Sequence, residues 1–320
     1  MFSILDEIKL KRENLSEKTL KVYLGNLSKM NDKQPIENLD FLKDVKKVES
    51  IISEYATPTQ RNYIASAMVA LSIYDGTDKW EEFSPVYLTY KKMLEDRTSE
   101  YNKNIENHAK SKKQEDGWIS RKDQLKLINS IRRQLKAMDF DINKPSKMGM
   151  KLYQELLVIS LYYYMPPRRL QDYVMDIIFT RENDDGKKNY LLVLNKNKKY
   201  FIFNKYKTFK HHGKQEFLVD KKLNKIIEDW LKIREITLES VEQPFIINSK
   251  GGALSANGLG KMIKTAFEPT GNKHVTVNIL RHVYDSEVIG VEEIEKSKER
   301  KKVAEAMGHT VKSQLNYIKV

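Results

Sequence analysis

Near the end of the chain, Asn278-Ile279-Leu280-Arg281-His282 is followed by Met307-Gly308-His309-Thr310 and then by Tyr317. An arginine, a histidine and a tyrosine in that order, on segments that read as helices, are the groups needed to attack a phosphodiester without a metal. The tyrosine oxygen attacks phosphorus and stores the bond as a phosphotyrosine, while guanidinium and imidazole groups hold the non-bridging oxygens where charge gathers. Arginine suits that task because it is permanently charged and presents a planar fork to phosphate. A lysine can protonate the departing sugar oxygen, otherwise a poor leaving group.

Two basic stretches upstream offer the remaining cations. In Tyr162-Tyr163-Tyr164-Met165-Pro166-Pro167-Arg168-Arg169-Leu170-Gln171-Asp172 an apolar helix meets a Pro-Pro break, then a pair of arginines with an acid beyond them. In Asn204-Lys205-Tyr206-Lys207-Thr208-Phe209-Lys210-His211-His212-Gly213-Lys214 a lysine-rich turn lies between two β-type runs. Each has a plain structural reading by itself: surface cations in the first, a solvated loop in the second.

Taken together and in this order, these segments resemble the tyrosine recombinase (phage-integrase) family. Its Gly-Leu-Arg-x-x-Glu box falls on Pro167 to Asp172 and so selects Arg169. Its hairpin Lys-Thr falls on Lys207-Thr208, its His-x-Leu-Arg-His on Asn278 to His282, and its Leu-Gly-His on Met307 to His309. The resemblance implies a catalytic set of Arg169, Lys207, Asn278, Arg281, His309 and Tyr317, with Arg168, Lys205, Lys210 and His282 as further nucleic-acid contacts. It departs at Asn278, where the family usually has His or Lys, and at Pro167 and Asp172, which replace Gly and Glu. The implied activity is site-specific cutting and rejoining of double-stranded DNA through a 3′-phosphotyrosyl bond, as in integrases of viruses or mobile elements. The implied assembly is a homo-tetramer on DNA that is a monomer or weak oligomer when free, with no cofactor and no metal. A type IB topoisomerase shares this catalytic arrangement, and a non-catalytic DNA-binding protein that retains the fold is the other alternative.

Composition fits such a partner. Lys+Arg total 57 against Asp+Glu 44 over 320 residues, a net charge of +13 with a pI near 9.4, which favours a polyanion. No cysteine is present, which excludes disulfides, thiolate catalysis and cysteine-held zinc. Met1 to Glu7 lacks the basic-then-apolar layout of a secretory signal, and the apolar run from Leu156 to Pro167 is too short to span a bilayer. The expectation is an intracellular, soluble protein with no membrane partner.

The elements that must position these groups follow from periodicity. Residues 1–97 read as a helical domain, with stripes at Leu20, Tyr23, Leu24, Leu27 and at Val48, Ile51, Ile52, Tyr55. A third helix is expected with Thr57 as its cap, and a fourth opening at Ser84-Pro85. By pattern this is a generic bundle; the resemblance makes it a DNA clamp of the core-binding type. Residues 98–117, rich in Lys, Asn, Glu and Ser, read as a charged linker or a solvated helical extension. Residues 118–320 read as a catalytic domain built on a nearly all-apolar helix from Met150 to Tyr164, with short strands at Tyr190–Leu194, Tyr200–Phe203 and Glu216–Val219. Thr276 is the expected cap of the helix bearing Asn278 and Arg281, and a charged helix is expected over Glu292 to Ala306. Gly251-Gly252 and Gly258-x-Gly260 lack the spacing of a nucleotide loop. The fold class expected is therefore mainly α with a small antiparallel β-sheet.

Overall fold

The computed structural model of the protein describes residues 4–13, 15–106, 110–238, 240–271, 274–290, 295–297, 299–300 and 303. His309 and Tyr317, and most of the helix expected over Glu292 to Ala306, lie outside them. The chain divides into two compact units, Met1–Ala109 and Lys110–Val320, each with its own apolar core.

The first unit contains helices α1 (Ile4–Lys11), α2 (Glu17–Met30), α3 (Val45–Ser53), α4 (Thr57–Leu71) and α5 (Trp80–Glu106). Ser16 caps α2 by accepting from the Thr19 amide, and Leu20, Leu27, Val48, Ile52, Ile64, Ala67 and Leu71 turn inward together. Two details differ from expectation. Ala56 rather than Thr57 is the N-cap residue of α4, which puts Pro58 in the first turn. The Gln60 Nε2 donates at 2.6 Å to the Tyr55 carbonyl, which ties the first turn to the residue before its cap. Helix α5 begins at Trp80, a turn before Ser84-Pro85, because Phe83 is buried and stacks on Tyr74 at 4.5 Å. That contact holds the chain helical ahead of Pro85, which lies inside α5 and removes one intrahelical amide bond. The stretch 98–117 carries the last turns of α5 and then α6 (Lys112–Gly117), closed at its start by a Ser111–Gln114 capping box.

The second unit adds α7 (Arg121–Ala137), α8 (Lys147–Tyr164), β1 (Asp176–Ile178), β2 (Tyr190–Asn195), β3 (Lys198–Phe203), α9 (Phe209–His212), β4 (Gln215–Leu218), α10 (Lys221–Ile233), β5 (Gln243–Pro244), α11 (Ala256–Phe267) and α12 (Val277–Tyr284). Helix α8 is buried along most of its length, as its apolar circumference requires. The sheet has the order β4-β3-β2-β1-β5. Pairs β2–β3 and β3–β4 are antiparallel, as expected, whereas β1 pairs parallel with β2, so the sheet is mixed. A parallel pair needs a long return connection, and residues 179–189 supply it. This return puts Asn189 at the mouth of β2, next to the corner that carries the two arginines. No described helix is long and apolar enough to cross a membrane.

Candidate nucleic-acid interface

The first element of the site is the corner where α8 stops. Its last amide bond is made by Met165 in extended backbone, Pro166-Pro167 prevents continuation, and Arg169 in extended conformation opens a 3-10 turn over Leu170–Tyr173. The neighbouring arginines diverge. Arg168 turns inward: its Nε donates to Asp172 Oδ2 at 3.1 Å and its Nη1 to Gln215 Oε1 at 2.9 Å. The guanidinium lies 3.8 Å from the Phe203 ring centroid and 4.8 Å from that of Tyr206. Burial pushes the Asp172 carboxyl above its ordinary range, against the opposing pull of Arg168 and then Arg169. Arg169 is half-buried, and among the described residues its guanidinium makes no hydrogen bond or ion pair. Of the pair, it is the one left with a free fork.

The second element is the lysine turn. Lys205, Lys207 and Lys210 are exposed on it, and both of its ends are fastened. At its start, the buried Asn189 side chain bonds the Lys205 amide at 2.7 Å and the Lys205 carbonyl at 2.9 Å. At its end, Lys214 pairs with Asp184, whose carboxylate also takes the Asn204 amide group at 2.6 Å. Across the middle, the Tyr206 hydroxyl donates to the Gly213 carbonyl at 2.6 Å. Gly213 has φ 63° and ψ −161°, a conformation open in practice only to glycine. His211 and His212 sit on the single turn of α9, with ring centroids 6.5 Å apart.

The third element is α12. Thr276 caps it as expected, accepting from the Ile279 amide at 3.3 Å. Val277, Ile279, Leu280 and Val283 face the core, while Asn278 and His282 are exposed and Arg281 is half-buried. Spacings of three and four place Asn278, Arg281 and His282 on one face. Beyond Tyr284 the helix widens into a π-helical turn, Asp285–Ile289.

Side chains that the sequence reading passed over connect these elements. Arg121, first residue of α7, donates from Nη2 to the Tyr163 carbonyl at 2.7 Å and stacks on Tyr163 at 4.4 Å and Tyr284 at 5.1 Å. Its amide donates to Glu287 at 2.9 Å. The far end of α12 is thereby fastened to the last turn of α8, just before the arginine corner. Leu170, next to Arg169, packs so closely on α11 that a Cβ on Gly260 would stand 3.1 Å from it. That packing gives Gly260 a structural purpose. Asn189 joins the corner to the lysine turn, since its Nδ2 also donates to the Asp172 carbonyl at 2.9 Å. An asparagine in a Gly-Lys-Lys-Asn stretch reads only as a turn residue, and an arginine after a helix cap reads as a surface charge. Nothing local distinguishes them.

Asn189 thus ties the backbone of the arginine corner to the start of the lysine turn, and Arg121 ties the far end of α12 to the end of α8. His309 and Tyr317 lie outside the described residues. No known protein-family profile matches the chain, and no curated protein does. Among solved structures, the chain is similar to one described as the crystal structure of XerA recombinase, at 14% identity over 89% of this chain and 83% of that one, with a TM-score of 0.35.

Proposed function

We propose that this protein is a site-specific DNA recombinase that cuts and rejoins double-stranded DNA through Tyr317. The observation that carries the reading is the free guanidinium of Arg169, held at the end of a buried helix and tied through Asn189 to a turn of exposed lysines. A guanidinium fork beside exposed ammonium groups suits a phosphoryl transfer without covalent help from a cofactor.

In the proposed step Arg169, Arg281 and His309 hold the non-bridging oxygens, with Asn278 as a neutral hydrogen-bond donor. The Tyr317 oxygen bonds to phosphorus as the bond from phosphorus to the 5′-oxygen breaks. The phenol proton leaves to solvent and Lys207 protonates the departing oxygen. The product is a 3′-phosphotyrosyl link and a free 5′-hydroxyl. The reverse attack by a 5′-hydroxyl of a second duplex restores the DNA and the tyrosine, so the bond energy is conserved. Lys205, Lys210 and His282 contact the phosphate backbone, the N-terminal helical unit grips the duplex, and four copies complete strand exchange.

The test is covalent capture. A pool of nicked duplexes with randomised sequence is incubated with the protein, and DNA that migrates with protein after denaturation is sequenced. Adducts that vanish in Tyr317→Phe and share a sequence support the recombinase. Relaxation of supercoiled plasmid without sequence preference would point to a topoisomerase, and binding without any adduct to a DNA-binding protein.

A further inference from the structure

Asn189 is buried at 3% exposure, and its amide group is fully engaged. Its Oδ1 accepts from the Asn204 amide at 2.9 Å and the Lys205 amide at 2.7 Å. Its Nδ2 donates to the Asp172 carbonyl at 2.9 Å and the Lys205 carbonyl at 2.9 Å. Two amide N–H groups face the oxygen and two carbonyls face the nitrogen, so only this orientation of the amide satisfies all four. Each of the two things it holds lies next to a group assigned to the chemistry. Asp172 lies in the 3-10 turn that Arg169 opens, and Lys205 is two residues before Lys207 in the turn. Lys207 is itself exposed, so its distance from Arg169 depends on where the turn is fastened. The second fastening, through Asp184, holds Asn204 and Lys214, and Arg168 ties the corner to Gln215 and the Tyr206 ring; of these ties, Asn189 is the one that bonds the Lys205 backbone.

We infer that Asn189 is a positioning residue that fixes Lys207 relative to Arg169, so that the lysine meets the leaving oxygen of a phosphate held by the arginine. This rests on the recombinase reading above. A small misplacement of a proton donor is costly because transfer requires hydrogen-bond reach in the transition state. The loss of Asn189 therefore resembles the loss of Lys207 and not the loss of Arg169.

The experiment compares two versions of the captured nicked duplex, one with the ordinary 5′-oxygen and one with sulfur at that bridging position. A thiolate departs without a proton. Asn189→Ala and Lys207→Ala are expected to slow adduct formation on the oxygen substrate by on the order of 10²-fold and to recover most of that rate on the sulfur substrate. Arg169→Ala is expected to stay slow on both. Hydrogen exchange supplies a readout free of activity: the Asn204 and Lys205 amides should exchange faster in Asn189→Ala. Asn189→Asp, which keeps the acceptor and loses both donors, should show the sulfur rescue with those amides still protected. An Asn189→Ala protein that cuts the oxygen substrate at the wild-type rate, or that is equally slow on both substrates, overturns the role. Failure of the wild type to form an adduct on either substrate overturns the recombinase reading itself, and this role with it.

Discussion

Arg168 and Asp172 form an ion pair at 3.1 Å, with only 18% and 3% of their side chains exposed, beneath a corner where the adjacent Arg169 remains free. Two consecutive arginines thus have opposite environments. The first closes a buried network under the corner, between aromatic rings and the edge strand β4. The second is half-buried and its guanidinium makes no hydrogen bond or ion pair among the described residues.

The two arginines should therefore separate cleanly by mutation. Arg168→Ala leaves a buried carboxylate without its partner and should destabilise the protein by about 3 kcal/mol, seen as a lower melting temperature. Arg169→Ala should change stability by no more than about 0.5 kcal/mol while adduct formation falls by on the order of 10² to 10³. Equal melting temperatures for the two variants would refute the assignment.

Gly117 should be intolerant of a side chain. A Cβ there would meet the His274 carbonyl oxygen at 2.7 Å and Ile279 Cγ1 at 3.3 Å, so backbone at the approach to α12 would have to move. Gly117→Ala should cost about 1–3 kcal/mol, speed amide exchange in α12 and weaken DNA binding through Arg281. A variant with unchanged α12 exchange would show that this close approach does not position the helix.

Lys199 gives a pH signature. It is buried at 1% exposure, and its ammonium donates to the Lys196 carbonyl at 2.6 Å and Asn224 Oδ1 at 3.1 Å. Burial lowers its pKa, with Glu228 opposing. Between the lowered folded value and the ordinary 10.5 the unfolded chain binds more protons, so the Lys199 contribution to stability rises with pH in that window. Wild type should therefore gain on Lys199→Met as pH approaches 10.5, by at most about 1.4 kcal/mol per unit. Denaturant melts of both proteins at a series of pH values check this; a constant difference would count against it.

DNA affinity should fall steeply with salt through counterion release. If Lys205 and Lys210 contact phosphates, alanine at each should lower the slope of log K against log salt by about 1 and weaken binding alike for all sequences. Titrations by fluorescence anisotropy at several salt concentrations measure the slope. A slope unchanged in the double variant would move the phosphate contacts elsewhere.

The sequence alone determined what depends on near neighbours. Stripes such as Leu20 with Leu27 and Val48 with Ile52, and the Thr276 cap, follow from local periodicity and local hydrogen bonding, and they appear as expected. The residue types of the proposed chemistry, and the side of α12 that carries Asn278 and Arg281, were legible for the same reason. Tertiary structure decided which arginine of the pair turns inward, because Phe203, Gln215 and Asp172 come from three separate elements. It also decided that β1 runs parallel to β2, and that Asn189, Arg121 and Gly117 hold the corner, turn and helix together. Apart from Arg168–Asp172, only four residues apart, each of those contacts joins residues distant in the chain, and a side chain's local pattern carries no information about a partner that only folding brings within reach.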